Sequence, residues 1–196
     1  MNQRYEQIGS FCDHWVSKTK AENDGDWHQD YDRFIALYIA FNRLYQESAR
    51  ILLNENNPLF VAENKKRTKK PDQRFEPLPD RKSATEAVII FCGEDKIEID
   101  AKDLKVLTSA ADGNDFYFHE NYSNQTPDKD EDRKISDQAK NGSKKSALAL
   151  IYQARCNLFH GEKELHGSQS QLLKSMGNIV EALINSLKIE LKERLN

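Results

Sequence analysis

Apolar residues recur at intervals of three or four in four separate segments of this 196-residue chain, which is the pattern of amphipathic helices. The segments are residues 3–19, 34–52, 146–160 and 172–187. Such helices pack against one another to bury their apolar faces. The pattern therefore predicts an all-α fold, a helical bundle of four to five main helices in a single domain over residues 1–196, with an irregular insertion at about residues 60–142.

Within this insertion, residues 64–82 are polar and contain three of the five prolines, which predicts a long loop. Residues 83–86, Ser-Ala-Thr-Glu, have the spacing of a capping box, and an apolar run follows as far as Gly93. We therefore expect a short helix here, although the Val-Ile-Ile-Phe run is also compatible with a strand.

The rest of the insertion has weaker signals. Residues 96–100 alternate between polar and apolar side chains like a short strand, and residues 116–118 are a candidate pairing partner, so a small β element is expected. A helix is expected between them, at residues 102–111. Residues 121–145 are polar, and their charge run is interpreted as solvated surface.

Composition and charge restrict the class of protein. The net charge of −3 argues against binding to nucleic acid through bulk positive charge, but it leaves room for a local basic site. No apolar run reaches the roughly 18 residues that a membrane span needs. Cys12, Cys92 and Cys156 are far apart and match no disulfide or zinc pattern. We expect a reduced, cytoplasmic protein without a metal ion or cofactor.

Arg155 interrupts the apolar stripe of the third predicted helix, because its neighbours one turn away are Ile151 and Phe159. A charge in this position is costly to bury unless it is paired or faces a cleft. Two interpretations follow: a structural arginine bound to a carboxylate inside the monomer, or an arginine that opens onto a functional site.

His160 follows five residues later and precedes Gly161, a natural helix stop. On an unbroken helix the two side chains would point about 140° apart. Both can therefore serve one site only if the helix breaks at His160 or a second copy of the chain completes the site. A histidine at a helix C-terminus also has a simpler explanation, since its cation interacts favourably with the helix dipole.

The stretch Ile151-Tyr-Gln-Ala-Arg155-Cys-Asn-Leu-Phe-His160-Gly161 resembles the signature of the HEPN superfamily (higher eukaryote and prokaryote nucleotide-binding domains), an arginine and a histidine separated by four to six residues near the end of a bundle helix. The segment from Phe34 to Tyr45 resembles an early helix of bacterial HEPN proteins. The resemblance covers residues 30–55 and 143–194. Where many active members have a polar residue directly after the arginine, this chain has Cys156, and Asn157 follows it.

The resemblance implies a metal-independent endoribonuclease that acts as a homodimer, with Arg155 and His160 as catalytic residues. Such a protein would be a toxin of a toxin–antitoxin pair, with an antitoxin as partner, or an effector of phage defence. Asn157 is a candidate supporting residue, and so is Asn42, which lies in an otherwise apolar stripe; a buried asparagine that only satisfies a helix neighbour is the alternative for Asn42. A basic segment could guide the RNA backbone or be only a solubilising surface loop; it comprises Lys65, Lys66, Arg67, Lys69 and Lys70.

Two alternatives remain open at this point. The chain could be a non-catalytic HEPN domain that binds RNA or a nucleotide or serves as an interaction module. It could also be a plain interaction bundle in which the motif occurs by chance. The surroundings of Arg155 bear on this choice, because a chance motif predicts an arginine bound to a carboxylate within one monomer.

Overall fold

The fold is all-α, as the sequence predicts. The computed structural model describes residues 3–20, 27–67, 79–113, 116–121, 123–124, 126–159 and 167–195. The helices are α1 (Gln3–Ser17), α2 (Trp27–Asn54), α3 (Pro58–Arg67), α4 (Asp80–Lys82), α5 (Val88–Cys92), α6 (Ala101–Asp112), α7 (Lys129–Lys140), α8 (Lys144–Phe159) and α9 (Ser170–Leu195). A π-helical segment, Ser83–Ala87, joins α4 to α5.

Helix α2 lies at the centre of the molecule and packs most extensively against α9. Its core-facing side carries a ladder of four buried aromatic rings, in which neighbouring rings meet edge to face or tilted. These are Phe34, Tyr38, Phe41 and Tyr45. Burial of each large apolar side chain stabilises the fold by about 1.5–3 kcal/mol, so this ladder anchors the bundle.

Helix α9 supplies the opposing surface. Every member of its predicted apolar stripe is buried, from Leu172 to Leu187. Gly177 of α9 lies against α2, where an added Cβ would clash with the guanidinium group of Arg33. Arg33 is in turn bound to Glu181 at 2.7 Å, which joins α2 to α9.

The predicted loop at residues 64–82 is wrong at both ends. Residues 64–67 complete α3, which buried Phe60 anchors, and α4 begins at Asp80 directly after Pro79. The predicted capping box is wrong as well, because Ser83 lies inside the π-helical segment rather than at a helix start. The helix end at Gly93, with a φ of 84°, is confirmed.

The small β element exists, but not at the expected residues. β1 (Glu120–Asn121) pairs antiparallel with β2 (Thr126–Pro127), so the predicted pairing of residues 96–100 with 116–118 is wrong. The alternation at 96–100 reflects a short extended link in which Ile97 is buried and Asp100 caps α6. The helix predicted at 102–111 is confirmed as α6.

Residues 129–140, expected to be irregular, form α7. Its first turn contains three acidic residues, which suit a helix N-terminus, and Asp128 caps it by accepting a hydrogen bond from the backbone N–H of Glu131. The helix was missed because its buried face holds only two apolar side chains, Ile135 and Ala139, which share that face with polar Asp132 and Ser136.

Asp132 of α7 organises the segment that precedes it. This carboxylate is fully buried, and it accepts hydrogen bonds from the backbone N–H groups of Phe118 and His119, both at 2.9 Å. It also lies 2.8 Å from Nδ1 of His119. Residues 116–119 are thus fixed against α7 by polar contacts rather than by a β-ladder.

Substitution Asp132→Ala leaves two buried N–H donors without an acceptor, so we expect the free energy of unfolding to fall by about 3 kcal/mol. Urea denaturation measures this. The matched control is Asp130→Ala on the same helix, whose side chain is 99% exposed and whose loss should change stability little. Equal effects of the two substitutions would contradict the role given to Asp132.

Candidate anion-binding site

Helix α8 passes from the core to the surface, and Arg155 lies one turn before its last residue, Phe159. Its predicted face starts with buried Leu148 and Ile151, continues through half-buried Tyr152 and Arg155, and ends at Phe159, which is 45% exposed. The arginine therefore lies where the apolar stripe reaches the surface. Its side chain is 19% exposed, which leaves it accessible to a ligand.

Aromatic rings flank the Arg155 guanidinium. Its central carbon lies 5.3 Å from the ring centre of Tyr38 and 4.7 Å from that of Phe159. Contacts of this kind stabilise a cation without using its N–H donors. Nη1 also points to the sulfur of Cys156 at 3.8 Å, a weak contact.

Among the residues that the structure describes, Asp80 is the carboxylate paired with Arg155, with Oδ2 3.7 Å from Nη1. This distance allows an ion pair but exceeds that of a hydrogen bond. The oxygens of Asp80 already accept hydrogen bonds from the hydroxyl of Tyr45 and the amide of Gln46, both at 2.8 Å. The hydroxyl of Tyr152 donates a further one at 3.2 Å. Asp80 is thus engaged by three neutral donors, with Arg155 beside it.

We call this group the Asp80 cluster; its members are Tyr38, Tyr45, Gln46, Asp80, Tyr152 and Arg155. Burial is the main cause that raises the pKa of Tyr38, Tyr45 and Tyr152 well above the ordinary tyrosine value. These hydroxyls therefore stay protonated at physiological pH and act as hydrogen-bond donors.

Two donors of the cluster lack an acceptor among the described residues. The hydroxyl of Tyr38, a residue only 1% exposed, and Nε of Arg155 are both buried, and neither has a hydrogen-bond partner in the described part of the chain. Among the residues that the structure describes, no oxygen accepts a hydrogen bond from the Arg155 guanidinium. Unsatisfied buried donors are costly and uncommon. Next to a fixed guanidinium, unsatisfied donors of this kind favour an anion such as a phosphate group, whose oxygens accept hydrogen bonds.

The backbone around Asp80 is also unusual. Directly after α4 the chain widens into the π-helical segment, which packs on both α2 and α8. Single π turns inside helices are rare and often occur at functional sites. Here the π turn lies beside the carboxylate that adjoins Arg155.

The other predicted site residues fall into separate places. His160, Lys69 and Lys70 lie outside the described residues, and Lys65, Lys66 and Arg67 form the last turn of α3 rather than a loop.

The two candidate supporting residues differ from one another. Asn157 is buried and donates to the backbone carbonyls of Tyr117 and Phe118, so it fixes that segment and lies about 200° around α8 from Arg155. Asn42 is partly exposed, and helix geometry places it on α2 between Tyr38 and Gln46, on the face that carries the cluster.

Sequence reasoning missed Asp80 and Tyr38. Asp80 is remote in sequence from Arg155, so no local spacing connects the two. The apolar period of residues 34–52 predicts a buried ring for Tyr38, which is correct, but it gives no information about the hydroxyl. The one usable signal was the Pro79-Asp80 pair, which is typical of a helix start.

Neither metal ligands nor a membrane segment stand out in the described part of the chain. No three His, Cys, Asp or Glu side chains converge there on one point. None of its helices is long and apolar enough to cross a membrane. No protein-family model, curated protein or solved structure matches the chain.

A pair of tyrosine substitutions tests whether the Tyr38 hydroxyl is unsatisfied. Tyr45→Phe removes a hydrogen bond to Asp80 and should lower the free energy of unfolding by about 1 kcal/mol. Tyr38→Phe removes a buried donor that has no acceptor and should leave stability unchanged or increase it. Chemical denaturation in phosphate-free buffer measures both. A loss for Tyr38→Phe as large as that for Tyr45→Phe would mean that the hydroxyl has an acceptor.

Proposed function

We propose that this protein is a metal-independent endoribonuclease of HEPN type, in which Arg155 binds the scissile phosphate and His160 transfers protons. The observation that carries the proposal is the state of Arg155. Its guanidinium is partly exposed and lies beside a carboxylate, yet none of its donors makes a hydrogen bond to a described oxygen.

The contacts of Asp80 bear on the alternative, a purely structural arginine. A structural pair would be expected to form direct, often bidentate hydrogen bonds. Here Tyr45, Gln46 and Tyr152 occupy the carboxylate instead. Asp80 can therefore orient the Arg155 guanidinium electrostatically, while the N–H groups of the arginine remain available to a ligand.

The reaction follows from the residue types. A histidine that titrates near neutral pH removes the proton from a ribose 2′-hydroxyl. The oxygen attacks the adjacent phosphorus, the bond from phosphorus to the 5′-oxygen breaks, and the leaving oxygen takes up a proton. The products are a 2′,3′-cyclic phosphate and a 5′-hydroxyl. The Arg155 guanidinium stabilises the charge that develops on the phosphate oxygens.

Tyr38 and Cys156 are the two further residues beside Arg155 that bear on phosphate binding. The neutral hydroxyl of Tyr38 is a further donor for a phosphate oxygen, beside the arginine. Cys156 occupies the position that is polar in many active HEPN proteins, and its sulfur is in contact with Arg155. We propose that Tyr38, contributed by α2, supplies the polar group that this position of α8 lacks.

The proposed biological role is that of a toxin or a phage-defence effector. Small bacterial HEPN proteins often serve as toxins or phage-defence effectors in the cytoplasm, and we propose that role here, with an antitoxin as partner. A homodimer would bring two copies of the motif together. This would resolve the divergence of Arg155 and His160 that helix geometry predicts.

Incubation of the purified protein with single-stranded RNA in EDTA tests the activity. We expect cleavage products that end in cyclic phosphate. His160→Ala should lower the rate by about 10²–10⁴-fold, as expected for loss of a general base. Arg155→Gln should lower it by about 10²-fold or more, because the transition-state charge loses its guanidinium.

Two substitutions are matched controls. His28→Ala removes an exposed histidine of α2, and Arg133→Gln removes an exposed arginine of α7. Both should retain wild-type cleavage. Absence of cleavage by the wild type, or equal cleavage by wild type and His160→Ala, would leave the non-catalytic alternatives, an RNA- or nucleotide-binding domain or an interaction module.

A further inference from the structure

Three arginines converge on one buried carboxylate at the contact between α1 and α2. Glu47 is fully buried, and its oxygens lie 2.5 Å from Arg4, 3.4 Å from Arg50 and 4.0 Å from Arg43. Arg4 comes from α1, whereas the other two come from α2. The carboxylate therefore holds three guanidinium groups close together, which reduces the entropy lost when they bind a ligand.

Within this group of described residues the cations outnumber the carboxylate. The single carboxylate of Glu47 is shared by three guanidinium groups, and the arginine side chains remain 44%, 38% and 46% exposed for Arg4, Arg43 and Arg50. The excess arises in a chain whose net charge is −3. A local positive surface on an acidic protein favours a polyanionic partner.

Aromatic side chains continue this surface along α1. Phe11 and Trp15 follow Arg4 by two and three turns, within about 20° of the same side of the helix. Phe11 is 39% exposed and lies 6.4 Å from the ring of Trp15. The ammonium group of Lys18 lies 4.4 Å above the Trp15 ring. Cations and accessible rings thus follow one another along one edge of α1.

We propose that this surface, the α1–α2 strip (Arg4, Phe11, Trp15, Lys18, Arg43 and Arg50), binds single-stranded RNA. The proposal rests on the proposed function for the identity of the nucleic acid. Single-stranded nucleic acids bind where a positive groove follows the backbone and aromatic rings stack on the bases. An acidic protein segment would use the cations but would gain less from the accessible rings.

The strip is separate from the Asp80 cluster. Glu47 lies about 180° around α2 from Tyr38, so the two surfaces are on opposite sides of that helix. The strip therefore binds nucleotides away from the scissile phosphate and adds affinity for longer RNA. It also assigns RNA contacts to α1 and α2, whereas sequence composition pointed to the segment from Lys65 to Lys70.

Fluorescence anisotropy tests the strip with a labelled single-stranded RNA of about 12 nucleotides, within the usual range of site sizes. Binding is measured in the His160→Ala background, so that cleavage does not interfere, from about 50 to 200 mM KCl. Lys18→Gln should reduce the salt slope by about 0.7, and Arg43→Gln with Arg50→Gln by about 1.4. Phe11→Ser should weaken binding by about five-fold or more without a change in slope.

The controls match charge and exposure. Arg133→Gln removes a 57%-exposed arginine of α7, and Ile90→Ser removes an apolar side chain that is 39% exposed, like Phe11. Neither should change RNA affinity. Lys18→Gln and Phe11→Ser do not touch Glu47, so they keep the test valid even if the double arginine variant is unstable.

Three results would contradict the proposal that the α1–α2 strip binds single-stranded RNA. They are no binding of the RNA, equal binding by strip variants and controls, and displacement of the RNA by polyglutamate at equal charge concentration. The last would assign the surface to acidic proteins. Each of these is distinct from failure of the proposed function, because RNA cleavage by the wild-type protein is measured separately.

Discussion

The burial of α2 is the constraint on which the rest of the structure depends. One side of this helix carries the buried aromatic ladder, and the helix packs most extensively against α9. The polar ends of two ladder residues, Tyr38 and Tyr45, lie beside Arg155 and Asp80. Because the ladder fixes the rotation of α2, Glu47 on the opposite side is held towards α1.

Buried carboxylates organise the polar parts of this all-α fold. Asp132 binds backbone N–H groups and fixes residues 116–119. Glu47 gathers three arginines at the surface of α1 and α2. Asp80 differs from both, because its side chain is 37% exposed and its cation stays at 3.7 Å, beyond hydrogen-bond distance. That difference is why the Asp80 cluster is interpreted as the site of the scissile phosphate, whereas the arginines around Glu47 are interpreted as part of a separate RNA-binding surface.

The long helices were predictable because their apolar periods extend over several turns, as in α2 and α9. Helix α7 was not, because its buried face is narrow and includes Asp132. The capping-box pattern at residues 83–86 predicts a helix start that is too late in the chain. The helix begins at Asp80, and residues 83–87 continue it as a π turn.

The candidate site was predictable only in part. Arg155 stood out in the sequence because a charge in an apolar stripe is costly to bury. In the structure it lies beside Asp80 and Tyr38. Those neighbours come from distant segments, so their meeting depends on tertiary packing rather than on any local pattern. The α1–α2 strip was missed for the same reason, since Arg4 and Glu47 meet only when α1 packs on α2.

The most direct test of the central claim is a crystal structure of the His160→Ala protein with a short RNA that carries a 2′-deoxy sugar at the cleavage position. Our account predicts a phosphate oxygen roughly 3 Å from a guanidinium nitrogen of Arg155, the distance of a charge-assisted hydrogen bond. A second phosphate oxygen should accept from the hydroxyl of Tyr38. A phosphate bound elsewhere, with Arg155 still in contact only with Asp80 and the aromatic rings, would contradict it.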